Sequence, residues 1–155
     1  MQLFAEGRIQ LKKINDSRIV IENKPYFALD NNLICNGYSP QEIEFIMKNA
    51  QVGFCLDIGH AICSANAQKI EPFEYLNEFN KLKPMLYHLA DGDFNGIYDE
   101  HVHLGKGSYN FRKILELLPQ GCCLTIETDK NFKESLQDFE QDVKLLRKLH
   151  RVELL

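Results

Sequence analysis

Phe54-Cys55-Leu56-Asp57 is a short apolar run that ends on a carboxylate, with Ile58-Gly59-His60-Ala61 directly behind it. Three other runs share this make: Ile19-Val20-Ile21-Glu22, Met85-Leu86-Tyr87-His88 and Leu124-Thr125-Ile126-Glu127. Continuous apolar runs rich in β-branched and aromatic residues read as strands buried on both faces. Strands of that kind are parallel and covered by helices. Their carboxyl ends share one rim, which therefore collects two Glu, one Asp and one His. Such a set suits a divalent metal ion.

Helical segments fill the intervals. Residues 1 to about 14 carry Leu3, Phe4, Ile9 and Leu11 among polar neighbours, an amphipathic spacing weakened by Gly7. Ser39-Pro40-Gln41-Glu42 combines a Ser cap, a first-turn Pro and a Glu three residues beyond the cap, which predicts a helix to about Asn49. The second strand is expected over 52–57 and the next helix over about 72–82, with Pro84 breaking the chain before the third strand. The polar stretch Asp91 to Gly107 reads as a functional loop, because loops of that length are uncommon otherwise. Asn110 caps a helix through Leu118, a turn follows at 119–121, and the fourth strand runs over 122–127. A last helix over about 134–150 aligns Leu136, Phe139, Val143, Leu146 and Leu149 on one face. The order is one helix followed by four strand-helix units, with no linker, so residues 1–155 are expected to form a single domain.

A chain of 155 residues with 45% hydrophobic content is long enough for one sizeable core. A net charge of −4 argues against an overall basic, nucleic-acid-binding face, although Arg112, Lys113, Lys144, Arg147, Lys148 and Arg151 gather in the last third. No apolar stretch reaches the roughly 18 residues of a membrane span, and the amino terminus carries no basic-then-apolar signal. Cys35, Cys55, Cys63, Cys122 and Cys123 are odd in number and form no C-x-x-C pair. They read as reduced, mostly buried thiols of a cytoplasmic protein, with Cys122-Cys123 packing on a strand.

Taken together, Val20-Ile21-Glu22-Asn23, Leu56-Asp57-Ile58-Gly59-His60-Ala61, His88-Leu89-Ala90-Asp91, Asp99-Glu100-His101-Val102-His103-Leu104-Gly105-Lys106-Gly107 and Thr125-Ile126-Glu127-Thr128 resemble the xylose-isomerase-like TIM-barrel superfamily. That superfamily includes sugar phosphate isomerases and epimerases and the endonuclease IV type of abasic-site nuclease. The resemblance covers nearly the whole chain, but only strands five to eight of the family's barrel. It implies an α/β fold in the form of a parallel (β/α) half-barrel. By position it implies Glu22, Asp57, His88 and Glu127 as ligands of a central metal. His60 matches a residue that binds substrate in the epimerases and a further zinc in the nucleases, where Asp99 and His101 complete that site.

The donor chemistry agrees with the resemblance. Three carboxylates and one imidazole suit Mn²⁺, Mg²⁺ or Zn²⁺, and the nitrogen-richer set of His60, Asp99 and His101 favours Zn²⁺ or Fe²⁺. Glu22 and Glu127 are then candidates to move a proton during enediolate chemistry on a small sugar or sugar phosphate. Asn23 and Lys106 are candidate substrate contacts. His103 reads as a partner-bonded loop histidine and His150 as a surface residue near a helix C-terminus. Gly105-Lys106-Gly107 lacks the spacing of a phosphate loop and reads as a tight turn. Half a barrel leaves two apolar sheet edges open. The expectation is therefore a homodimer, a complex with a missing amino-terminal half-barrel, or a truncated product starting at an internal methionine. Nucleic acid enters only under the nuclease alternative, and a non-catalytic metal-binding half-barrel is a third.

Overall fold

The computed structural model describes residues 13, 14, 16–28, 33–129 and 133–152. Four parallel strands form one sheet in the order β1 (Val20–Glu22), β2 (Gly53–Asp57), β3 (Leu86–Leu89) and β4 (Leu124–Ile126). Five helices accompany them among the described residues: α1 (Pro40–Ala50), α2 (Ile58–Ala67), α3 (Pro72–Asn80), α4 (Phe111–Leu117) and α5 (Gln137–Val152). This is the expected α/β half-barrel.

The most buried strand is the one the sequence reading started from. Phe54, Cys55, Leu56 and Asp57 are each at most 1% exposed, because β2 has a neighbour on both sides and helices over it. Phe54 stacks on Phe79 of α3 at 5.7 Å, and the core continues through Leu56, Ile62, Leu76, Tyr87, Leu89 and Ile114. The helix signals at Ser39 hold in detail. Its hydroxyl accepts the Glu42 N–H while the Glu42 carboxylate accepts the Ser39 N–H, a reciprocal capping box worth about 1 kcal/mol.

Several boundaries differ from expectation. Strands β1 and β4 shrink to three residues each; among the described residues these outermost strands have a partner on one side only. Helix α2 spans Gly59-His60-Ala61, where the sequence carries no helix signal. Ile58 through Ala65 are buried without a break, so the helix has no polar face and gives no amphipathic period to detect. Asp57 starts it, its Oδ1 accepting the His60 N–H at 2.8 Å. Only Cys55 and Cys63 are buried, Cys35 and Cys122 are partly exposed, and Cys123 is exposed, which corrects the expectation of mostly buried thiols. Cys122 does pack on the core, but both it and Cys123 precede the strand. Of the helix expected over residues 1–14, Lys13 and Ile14 are helical and the remainder lies outside the described residues, as does the side chain of His150. Among the described residues, no helix is long and apolar enough to cross a membrane.

Candidate metal centre

The sheet register assembles the rim. Asp57 ends β2 and is the direct register partner of His88, the penultimate residue of β3, while Glu22 ends β1 and Glu127 follows β4. Ligand atoms of Glu22, Asp57, His88 and Glu127 all lie within 4.8 Å of one another. Two ligands on opposite sides of a cation stand at most about 4–5 Å apart when each bond is 2.0–2.5 Å, so these four fit one coordination sphere. His88 Nδ1 is 3.7 Å from Glu22 Oε1 and 3.9 Å from Asp57 Oδ2, and it lies against Glu127 Oε2.

Three atoms of this set give the fit test. Asp57 Oδ2, His88 Nδ1 and Glu127 Oε2 are buried and have no hydrogen-bond partner among the described residues; the last two touch without hydrogen-bond geometry. Buried polar atoms are almost always paired, because an orphan carries its full desolvation cost. Three orphans facing one point are what a metal site presents before its ion is considered. The donor set therefore fits a divalent cation.

A second cluster adjoins the first. Ligand atoms of His60, Asp99 and His101 also lie within 4.8 Å of one another. His60 Nδ1 is 2.8 Å from the Asn23 carbonyl oxygen, and His101 Nδ1 bonds the Glu127 carbonyl oxygen. A carbonyl only accepts, so each Nδ1 carries a proton. Each ring then turns Nε2 toward Asp99 Oδ2, at 3.3 Å from His60 and 2.6 Å from His101. Metal-binding histidines are typically fixed in this way, by a bond from the ring nitrogen that does not ligate. The clusters meet where His60 Nδ1 stands 3.2 Å from Glu22 Oε1. His101 has φ 49°, a left-handed conformation costing a non-glycine residue roughly 1–2 kcal/mol. Asp129 N–H donating to the His101 carbonyl at 2.8 Å and the Asp91–Val102 bridge hold it there.

Proton affinities follow from this crowding. The Asp99 carboxylate beside it pushes His101 up to about 9. Cys55 and Glu22 push His88 up to about 10 against burial. Burial works against the charge of His60, yet Asp99 and Glu22 raise it to about 11. Glu22 and Asp99 are held well below the usual carboxylate range: burial opposes their charge, and the histidines outweigh it. Asp57 goes the other way, up to about 6 through burial. A histidine raised in the folded state contributes stability below its unfolded value of about 6.5 and loses it as pH rises through its folded value. In chelator, the melting temperature is therefore expected to fall as pH climbs from about 6.5 toward 9–11. A divalent ion should flatten that slope by taking the place of the protons. A melting temperature independent of pH across this range would contradict the arrangement.

The other sequence candidates fare differently. Asn23 is fully buried, its Nδ2 donating to the Asp57 carbonyl at 3.0 Å and its Oδ1 accepting the Asp57 N–H at 2.8 Å. It staples β1 to β2, with one amide N–H and one carbonyl lone pair engaged there. Lys106 is exposed on a turn whose amides are already used: Gly105 and Gly107 donate to Asp91 Oδ2 at 2.8 and 3.0 Å. Their N–H groups thus cradle an internal carboxylate, and the turn reading holds. His103 is partner-bonded as expected, through Nδ1 to Asp142 Oδ2 at 2.8 Å.

Lys24, which carries no signal in the sequence, places Nζ 3.0 Å from Glu22 Oε2, on the side of the carboxylate away from the histidines. Asp142 is a second residue outside the expected site. The signal for Asp142 was present: it sits three residues after Phe139 and four before Leu146, a charged residue on an apolar stripe.

Comparison with known proteins agrees with this architecture. The chain is 29% identical over 129 residues to the uncharacterized protein MJ1311 of Methanocaldococcus jannaschii, a match spanning 79% of this chain and 40% of the relative. The uncharacterized protein MJ1614 of the same organism is 31% identical over 94 residues, or 61% of this chain and 32% of the relative. The chain thus spans less than half the length of these curated relatives. The crystal structure of a D-tagatose 3-epimerase-like protein superimposes with a TM-score of 0.67 at 24% identity, over 96% of this chain and 52% of the other, a likeness of fold. The xylose isomerase-like TIM barrel model matches residues 9–149, and the chain belongs to that family.

Proposed function

We propose that this half-barrel carries the metal rim of a sugar or sugar phosphate isomerase or epimerase. The observation that supports it most is the set Glu22, Asp57, His88 and Glu127 with its three orphaned atoms. A divalent ion such as Mn²⁺ or Zn²⁺, with Mg²⁺ also suited to the oxygen donors, would supply stabilisation of the negative charge that develops on an enediolate. The chain's own residues do the rest. Asp57 and His88, on the two central strands, hold the floor of the site. Glu22 and Glu127 end the two outer strands and flank it, one positioned to remove the proton beside the substrate carbonyl and the other to return it. Lys24 at the mouth offers a cation to an anionic substrate group. His60, buried against Asn23 and Asp99, is a substrate contact under the single-metal reading and a ligand under the two-metal one.

The test is solvent exchange. Metal-loaded protein is incubated in D₂O with a panel of ketoses, aldoses and their phosphates, and proton NMR follows the C–H beside the carbonyl. Exchange that Glu127→Gln abolishes is the expected result. Bound metal without exchange anywhere in the panel would sink the reading.

The contact between the two clusters favours a second reading, an abasic-site phosphodiesterase of the endonuclease IV kind, because paired metal sites suit in-line displacement at phosphorus. Incision of an abasic duplex with two zinc ions per chain, lost in His101→Ala, would favour it. Either activity takes a closed barrel in this reading, completed by a second copy or by an amino-terminal half-barrel. Among the described residues β1 and β4 each pair on one side only, and an apolar groove of about 360 Å³ runs beside β4 between Leu124, Ile126, Phe139, Val143 and Leu146. Sedimentation of the metal-loaded chain, alone and with its substrate, reads out that closure.

A further inference from the structure

Asp142 lies within α5, a helix that is otherwise largely polar and exposed, yet the residue is only 2% exposed. An aspartate inside a helix is a poor helix former, and a buried one needs partners. Asp142 has three, drawn from two separate segments. Thr128 Oγ1 donates to Oδ2 at 2.7 Å, His103 Nδ1 donates to Oδ2 at 2.8 Å, and the Leu104 N–H donates to Oδ1 at 3.0 Å. Thr128 directly follows Glu127 of the first ligand cluster. His103 and Leu104 closely follow His101 of the second. These segments are also tied to each other in front of Asp142, by His101 Nδ1 on the Glu127 carbonyl and by Asp129 N–H on the His101 carbonyl.

We propose that Asp142 is a positioning residue for metal binding, one carboxylate behind the rim that fixes Glu127 and His101 together and so makes one ligand of each cluster depend on the other. The inference rests on the metal reading of the site. The left-handed backbone at His101 gives it weight, since a strained ligand keeps its place only where surrounding bonds over-determine it. Asp138, 3.8 Å from His103 Nε2 and half-exposed, is too distant to substitute for the buried carboxylate.

The experiment is a Co²⁺ titration of the full chain, read by visible absorption and by calorimetry, on wild type and Asp142→Asn, with circular dichroism confirming the fold. Loss of an outer hydrogen-bond partner typically lowers metal affinity about 10–100-fold. That drop, with a changed Co²⁺ spectrum in a folded protein, is the expected result. Folded D142N with wild-type affinity and spectrum would overturn the positioning role and leave the metal site standing. Wild type that takes up no Co²⁺ would overturn both. If D142N does not fold, Thr128→Val carries the comparison, as it keeps the carboxylate and removes one donor: a smaller loss of affinity supports the role, and unchanged affinity overturns it.

Discussion

Asp57→Asn is expected to lower divalent-metal affinity about 100-fold while leaving the fold intact. Asp57 uses its two oxygens for different ends: Oδ1 caps α2 through the His60 N–H at 2.8 Å, and Oδ2 is an orphan facing the ligand set. Asparagine keeps an acceptor for the cap and turns an NH₂ group toward the cation. Binding energies of roughly 10–16 kcal/mol shared over four ligands put about 3 kcal/mol on each, or two orders of magnitude. The same substitution should stabilise the metal-free protein. Burial raises Asp57 from its ordinary 3.8 to about 6, so the folded state binds its proton more tightly than the unfolded one. Stability from this group is full below about 3.8 and falls as pH rises through 6. At pH 7 the buried charge costs on the order of 2–3 kcal/mol, which asparagine removes. Urea denaturation in chelator and calorimetry with metal read the two effects. A variant that both binds metal normally and melts like wild type would refute the assignment of Oδ2.

Gly107→Ala should be among the most destabilising single-methyl additions in the molecule. A Cβ there would stand 2.4 Å from Asp91 Oδ1, 2.4 Å from the Gly92 carbonyl oxygen and 2.5 Å from the Gly92 nitrogen. Two of those three atoms are backbone and cannot step aside. The third belongs to a carboxylate 2% exposed, whose oxygens accept N–H bonds from Gly92, Gly105, Gly107 and Tyr109. Relief means lifting the turn off Asp91 and leaving a buried anion short of donors. Overpacking at about 1–3 kcal/mol and lost charge-assisted bonds at about 1–3 kcal/mol sum to roughly 2–6 kcal/mol, against total stabilities near 5–15. Gly121→Ala is the internal comparison. Its φ is +75°, but nothing lies within 4 Å of the added methyl, so only the backbone term of about 1 kcal/mol applies. Equal denaturation midpoints for the two variants would refute the packing argument.

The candidate ligands were legible because chemistry and topology coincide at strand ends. An Asp or His that closes an apolar run stands out by type, and parallel strands bring such ends together without further information. Helix α2 was illegible for the opposite reason: burial on every side erases the period on which helix reading depends. The role of Asn23 could not be read either. Whether an amide at the end of β1 reaches the backbone of β2 depends on a register that places Glu22 beside Cys55, two residues short of Asp57. Asp142 lay between these cases, marked by a charge on an apolar stripe, though its partners come from segments 14 and 38–39 residues away.

The division of the ligands between inner and outer strands has a thermodynamic consequence. Asp57 and His88 sit on strands paired on both sides, with side chains 2% and 18% exposed; among the described residues Glu22 and Glu127 belong to the margins of the sheet, at 23% and 43%. Local opening starts at margins, where fewest contacts break, so amide exchange should reach β1 and β4 well before β2 and β3. The rim thus divides between strands expected to open late and strands expected to open early. In the function proposed above, the two carboxylates assigned to proton transfer stand at or next to three-residue strands, while Asp57 and His88 stay with the last structure to unfold.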